Sequence, residues 1–202
     1  MPGTTAMAAA ATTGNAAMSR EIVLGVTGSI AAYKAAELVR LMVKKNWGVS
    51  VVMTESAAKF VAPLTFQTLS RRPVAMDQFT SLDGWSPNHI TLARRASALV
   101  VAPCTANVLA KLAVGIADDE LTSTALACRA PLVIAPAMND AMFEHPATQE
   151  NLATLKRRGA IVVSPSEGEL ACGATGRGRL AELGEIMAAV EAVLPPEAGE
   201  AK

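Results

Sequence analysis

Between residues 21 and 194 the chain alternates short, continuous apolar runs with longer amphipathic segments, and this alternation restricts its fold more than any other feature. IVLGVTG (22–28) reads as a buried strand, IAAYKAAELVRLMVKKN (30–46) as a helix with apolar residues at helical spacing, and VSVVMT (49–54) as a second strand. The pattern then recurs. ALVVAPC (98–104) and APLVIAPAMN (130–139) are two further buried strands separated by a helical ANVLAKLAVGIADDELTSTALAC (106–128). AIVVSP (160–165) follows the helical TQENLATLKRRG (148–159), and LAELGEIMAAVEAVL (180–194) closes the series as a helix. Strands that alternate with helices imply right-handed crossovers and a mostly parallel sheet covered on both faces, an α/β three-layer sandwich. Ligands of such sheets bind beyond the carboxyl ends of the strands, so the residues just after each strand deserve the closest reading.

Composition narrows the class of ligand. At 202 residues the chain suits one domain with a sizeable core. Eighteen basic residues balance eighteen acidic ones, so no net field favours nucleic acid or an anionic membrane surface, and a small molecule or a protein is the expected partner. The three cysteines, Cys104, Cys128 and Cys172, form no disulfide framework and suit a reducing compartment. No run reaches the length of a membrane span, and the expected location is the cytoplasm. Residues 1–20 are rich in small and polar side chains and lack the charged start and apolar block of a secretory signal, so a disordered extension is expected there. The domain is expected over 21–194, with 195–202 as a tail.

Three strand ends carry hydroxyl residues at a helix start. In GVTGSIAAYK, a glycine and Ser29 after the first strand place backbone N–H groups where an anion would bind; the same residues also suit a tight turn with Ser29 as helix cap. The spacing is neither that of a dinucleotide fingerprint nor that of a P-loop. Thr54 and Ser56 repeat the arrangement after the second strand, and Thr105 and Asn107 after the third. Each alone is compatible with an ordinary cap.

Other candidates stand outside these turns. His89, one of two histidines, follows a Gly/Pro-rich loop and precedes the helix that leads into the third strand, a placement that suits a cleft as well as a structural role. His145, before a proline between helices, reads as a surface residue. Asn139 in APAMND either caps the next helix or offers its amide to a carboxylate. GELACGATGRG (168–178) sets Cys172 among four glycines, too glycine-rich for helix or strand. The thiol there is either packed beneath a turn or a proton-handling group on a mobile flap.

Taken in order, GVTGSIAAYKAAELVRLM, the histidine of NHITLA, APCTANVLAKLAVGIADDELTSTALA, PAMN and GELACGATGRGR resemble the flavin-containing cysteine decarboxylases, above all those acting on phosphopantothenoylcysteine in coenzyme A biosynthesis. The resemblance implies a flavodoxin-like (Rossmann-like) fold and a homo-oligomer, a trimer or a dodecamer built of trimers, with FMN near the subunit interface. It matches Gly28, Ser29 and Ile30 to the first FMN-binding turn, Thr54, Glu55 and Ser56 to the second, and Thr105, Ala106, Asn107 and Val108 to the third. Ala137 matches a further FMN contact, Asn139 the ligand of the substrate carboxylate, His89 the catalytic histidine and Cys172 the proton donor, with Met138 and Ala171 beside the substrate. Two departures touch binding detail: Ser97 stands where an acidic residue is frequent, and a small hydroxyl residue is common near Cys104. Which of Arg94 and Arg95 meets a phosphate stays open.

The implied chemistry is the decarboxylation of 4'-phospho-N-pantothenoyl-L-cysteine to 4'-phosphopantetheine. A cysteinyl carboxylate has no electron sink, and oxidation of the thiol to a thioaldehyde creates one, leaving an enethiol that the returning hydride reduces while FMN cycles. His89 would assist proton removal, Asn139 would hold the carboxylate and Cys172 would protonate the enethiolate. A peptidyl-cysteine decarboxylase releases the enethiol and does not need Cys172. A non-catalytic FMN-binding regulator would be expected to lose His89 or Asn139, and a flavin prenyltransferase shares the architecture without a matching site. Bacterial members often continue into a ligase domain, so the preceding ligation is expected from another protein or from sequence beyond this chain.

Overall fold

The computed structural model of the chain describes residues 20–80, 87–169, 173 and 175–195. The apolar, β-branched runs form β1 (Glu21–Val26), β2 (Gly48–Met53), β3 (Ala98–Cys104), β4 (Leu132–Pro136) and a two-residue β5 (Ile161–Val162). These pair in the order β2-β1-β3-β4-β5, and every neighbouring pair is parallel. Parallel neighbours need crossovers. α1 (Ala32–Lys44) joins β1 to β2; α2 (Glu55–Ala58), α3 (Pro63–Ser70) and α4 (Asn88–Arg95) lie between β2 and β3. α5 (Ala106–Val114) and α6 (Glu120–Ala127) connect β3 to β4, and α7 (Asp140–Glu144) and α8 (Pro146–Arg157) connect β4 to β5. The strand order turns around between β1 and β3, the flavodoxin-like arrangement in which ligands sit beyond the carboxyl ends of those strands.

Each strand divides its side chains between two apolar layers, as the two-residue repeat of a strand requires. Ile22, Leu24 and Val26 of β1 and Val100 and Ala102 of β3 face the layer under α1, α3 and α9 (Leu183–Val193), where Leu38, Phe66 and Ile186 are buried. Val23 of β1 and Leu99 and Val101 of β3 face the opposite layer, filled by Leu109 of α5, Leu121 of α6 and Leu152 and Leu155 of α8. Ala32, Ala35, Leu38, Val39 and Met42 line up as the buried stripe of α1 at three- and four-residue spacing. This is the three-layer α/β sandwich expected from the alternation.

Three local expectations are corrected. The segment 106–128 is not one helix. α5 ends at Gly115, whose φ of 83° is a left-handed cap, and α6 starts afresh at Asp119, which accepts the Thr122 N–H while Thr122 Oγ1 accepts the Asp119 N–H in a capping box. Ser29 is not the cap of α1: Ala31 occupies that position, and Ser29 Oγ accepts the Ala31 N–H at 3.3 Å.

The glycine-rich stretch is not free of strand structure either. β6 (Ser166–Glu169) and β7 (Thr175–Arg179) form an antiparallel pair, with Gly168 opposite Gly176. Pairing and a tight seat against the β4–α7 turn, described below, outweigh glycine's weak strand preference. Cys172 and Ala171 lie outside the described residues, as do the expected disordered extension up to residue 19 and the tail from residue 196. No helix among the described residues is long and apolar enough to cross a membrane.

Candidate functional site

Thr27, the residue after β1, was passed over in the sequence although it organises the sheet edge. Fully buried, its Oγ1 donates to the Pro103 carbonyl at 2.7 Å and accepts the Thr105 N–H at 3.0 Å, which ties the end of β1 to the end of β3. The signal was present as a hydroxyl inside an otherwise apolar strand end. Beyond it, Thr54 and Thr105 cap α2 and α5: Thr54 Oγ1 accepts the Ala57 N–H at 3.2 Å and Thr105 Oγ1 the Val108 N–H at 3.4 Å. The hydroxyls therefore serve as caps, and the first N–H groups of each helix stay turned to the space beyond the strands.

Two adjoining concavities open on this edge and share Gly28, Thr105 and Asn107. The larger, about 780 Å³, brings together Ser29, Ile30, Ala106, Ala137, Met138 and Asn139, with Lys34 and Arg179 as its charged lining among the described residues. The smaller, about 560 Å³, holds Thr54, Glu55, Ser56 and Val108, and beside them Asp77, Asp118, Asp119, Glu120 and Lys111. Both fall within the usual range of small-molecule sites. Their charges differ: an anionic group is favoured in the first, beside two cations, and disfavoured among the carboxyls of the second.

The turn that carries Asn139 is built by the hairpin. Met138 donates its N–H to the Gly178 carbonyl at 2.9 Å, and Ala137 donates its own to the Cys104 carbonyl at 3.0 Å. A Cβ on Gly178 would stand 2.1 Å from the Met138 carbonyl oxygen, so glycine is what lets β7 come this close. Asn139 caps α7, its Oδ1 accepting the Ala141 N–H at 3.0 Å. The Arg177 guanidinium lies 5.9 Å from the centre of the Phe143 ring and adds a cation–π contact between hairpin and α7.

His89 is placed apart from Asn139. It sits in the first turn of α4, is not among the described lining of either concavity, and has Nδ1 4.0 Å from Oε2 of Glu120. Glu120 is fully buried, and its burial, with the charges of Asp77 and Asp119, raises its carboxyl to about 7. In the sequence it reads as an ordinary acidic residue in the first turn of a helix. His145 caps α8 by accepting the Ala147 N–H on Nδ1, a surface role as expected. Arg94 and Arg95 are exposed in the last turn of α4, outside both described linings, and Ser97 Oγ accepts the Glu21 N–H, a structural use of that departure. Burial pushes the Cys104 and Cys128 thiols up, so neither is disposed to give its proton at neutral pH.

The pairing of turns fits a flavin mononucleotide. A Cβ on Gly28 would lie 2.4 Å from Cβ of Ser56, so the first and second turns close to a distance that only glycine permits and form a cradle of backbone and hydroxyl groups. Ile30, Ala106, Ala137 and Met142 offer apolar wall beside it for a flat ring.

The family model described as Flavoprotein matches residues 11–194. The chain belongs to the flavoprotein family. Among its relatives, the coenzyme A biosynthesis bifunctional protein CoaBC of Bacillus subtilis (strain 168) is 49% identical over 173 residues, 86% of this chain and 43% of that protein. The chain thus spans less than half the length of the curated relatives it matches. A PPC decarboxylase cysteine-to-serine mutant complexed with pantothenoylaminoethenethiol is similar in structure at a TM-score of 0.78 and 32% identity, covering 86% of this flavoprotein and 97% of that chain. The FMN-dependent cysteine decarboxylase SpaF is similar at a TM-score of 0.77 and 32% identity, covering 87% and 98%.

Proposed function

We propose that this flavoprotein catalyses the FMN-dependent decarboxylation of 4'-phospho-N-pantothenoyl-L-cysteine to 4'-phosphopantetheine in coenzyme A biosynthesis. The observation that carries this reading is the meeting of Gly28–Ile30, Thr105–Asn107 and Ala137–Asn139 in one concavity of a chain that pairs with nearly the whole of a PPC decarboxylase. The cofactor is held by Gly28, Ser29 and Ile30, by Thr54, Glu55 and Ser56, by Thr105, Ala106, Asn107 and Val108, and by Ala137. FMN bound there supplies a hydride acceptor and donor, which lends the cysteinyl carbon the electron sink it lacks.

The chain's own residues bind the substrate and handle its protons. Asn139 holds the carboxylate through its amide, which orients the group that leaves without the ground-state stabilisation of an ion pair. Lys34 and Arg179, in the same lining, favour an anionic substrate. His89 takes the thiol proton, Cys172 returns one, and Met138 and Ala171 flank the reacting carbon. His89 lies outside the concavity that contains Asn139, and Ile30 and Tyr33 on its rim are exposed apolar side chains. Both features support a homo-oligomer, a trimer or a dodecamer built of trimers, in which a second copy completes the site. The free thiols of Cys104 and Cys128 suit a cytoplasmic setting, and 21–194 forms the catalytic domain.

The test uses the purified full chain supplied with FMN and substrate. CO₂ and the saturated aminoethanethiol are the expected products, and Cys172→Ser is expected to release CO₂ while accumulating a species about two mass units lighter. The reason is that a serine hydroxyl is far less acidic than a thiol of pKa about 8.5. A protein that takes up no FMN overturns the reading, and saturated product from Cys172→Ser at a near-normal rate removes the proton-donor role.

A further inference from the structure

Three buried polar atoms without a hydrogen-bond partner face one another between α4 and α6. They are Nδ1 of His89 and both carboxyl oxygens of Glu120. Buried polar groups are almost always paired, and here an imidazole nitrogen stands 4.0 Å from a carboxyl oxygen, about 1 Å beyond a charge-assisted hydrogen bond. Glu120 is at the rigid end of the pair. It opens α6 beside the Asp119 capping box, and its carbonyl accepts Thr124 Oγ1 at 2.7 Å. The next residue, Leu121, presses so close to β1 that a Cβ on Gly25 would stand 2.4 Å from its side chain. His89 has the freer end: Nδ1 is buried while its side chain is 24% exposed, so the ring's accessible part lies away from Glu120.

We propose that Glu120 is the positioning residue of His89, accepting Nδ1–H on its carboxylate and so leaving Nε2 as the outward lone pair that takes the substrate proton. Other groups around the carboxyl leave this role to the ring. Asp77 and Asp119 are acidic and accept from Phe79, Thr80 and Thr122, and Lys111 is engaged by Asp118 at 2.7 Å and Asp119 at 3.5 Å. Among the charged groups around the carboxyl, His89 is therefore the donor available to Glu120. When Nε2 takes a proton, the positive ring remains next to a carboxylate and the pair as a whole becomes neutral, the arrangement by which a buried carboxylate serves a catalytic imidazole. What the ring does for the substrate rests on the decarboxylase reading; how the ring is held does not.

Nitrogen-15 NMR of the imidazoles in the full chain separates these two levels. Near pH 9, above the midpoint of a carboxyl held at about 7, His89 is expected as the Nδ1–H tautomer. His145, whose Nδ1 accepts the Ala147 N–H, provides the Nε2–H reference within the same molecule. Glu120→Leu is expected to convert His89 to Nε2–H and to lower kcat by about 10- to 100-fold with KM nearly unchanged, the scale for groups that orient a functional imidazole. Glu120→Gln keeps an acceptor oxygen and is expected to restore the tautomer but not kcat. An Nε2–H ring in the wild-type protein, a measurement that needs no variant to fold, overturns the proposal, as does an unchanged tautomer in Glu120→Leu. An Nδ1–H ring in a protein that releases no CO₂ supports the pairing and overturns the decarboxylase reading instead.

Discussion

The Met138–Asn139 turn is tied from several sides, whereas the His89 ring rests beside a carboxyl with which it forms no hydrogen bond. In the turn, backbone bonds to Cys104 and Gly178 fix two successive N–H groups, and Asn139 itself caps α7. At the ring, Nδ1 and both oxygens of Glu120 are buried without hydrogen-bond partners. The difference fits the roles proposed for the two regions. A group that binds a carboxylate gains from being held in one geometry before the ligand arrives, while a proton-moving imidazole has to accommodate two protonation states, and the bond proposed between Nδ1 and Glu120 still stands open at 4.0 Å.

Three measurements bear on that contrast. The largest effect is expected at the ring. His89→Asn removes the proton acceptor and should lower CO₂ release by about 10²–10⁴-fold, the range of general acid–base assistance, with flavin absorbance retained. A variant that keeps its rate would leave binding, not proton movement, as the work of both regions.

The second concerns the pH dependence of stability. Glu120 is raised from 4.5 to about 7 in the folded chain. Below pH 4.5 it is protonated in both folded and unfolded states and contributes nothing. As pH rises towards 7 the unfolded chain gives up its proton first, so the folded state loses ground. The loss accumulates between about pH 4.5 and about pH 7 and is complete above that. Urea unfolding of wild type and Glu120→Gln at pH 4 and pH 8 should show this decline in the wild type alone. Parallel profiles would mean that the carboxyl is not held at an unusual protonation state.

The smallest effect is expected at the turn. Asn139→Asp places a carboxylate where the substrate's own is proposed to bind, and like charges at close range in a partly shielded site are worth a few kcal/mol. KM should rise at least about tenfold with the fold unchanged, because aspartate caps α7 as well as asparagine. An unaltered KM would show that the turn, however well fixed, does not touch the carboxylate.

Most of the architecture was legible because it depends on periodicity. The buried runs 22–26, 98–104 and 132–136 became adjacent parallel strands, and the threonines and asparagine after them came to one edge, since strand ends are set by the sheet. The break between α5 and α6 was missed because apolar spacing continues across it; only Gly115 and the Asp119 capping box mark it. The hairpin was missed because glycine argues against strand locally, while its reason, the seat of Gly178 on Met138, is a contact across forty residues of sequence. Thr27 and Glu120 were overlooked for the same cause. A buried threonine and a first-turn glutamate look ordinary until tertiary packing brings Pro103 and Thr105 to the one and His89 to the other.

The bond from Met138 to Gly178 has a thermodynamic corollary. Cys172 falls in the sequence between the two strands of the hairpin, and Asn139 follows the residue that the hairpin holds. The two are therefore attached to opposite ends of one hydrogen-bonded seam. A ligand that steadies the asparagine turn steadies β7, and by reciprocity any change at the cysteine that favours or disfavours the paired hairpin must alter the affinity of that turn by the same factor. Oxidation or alkylation of Cys172 that shifts this pairing would then be felt as weaker or stronger binding at the Asn139 turn.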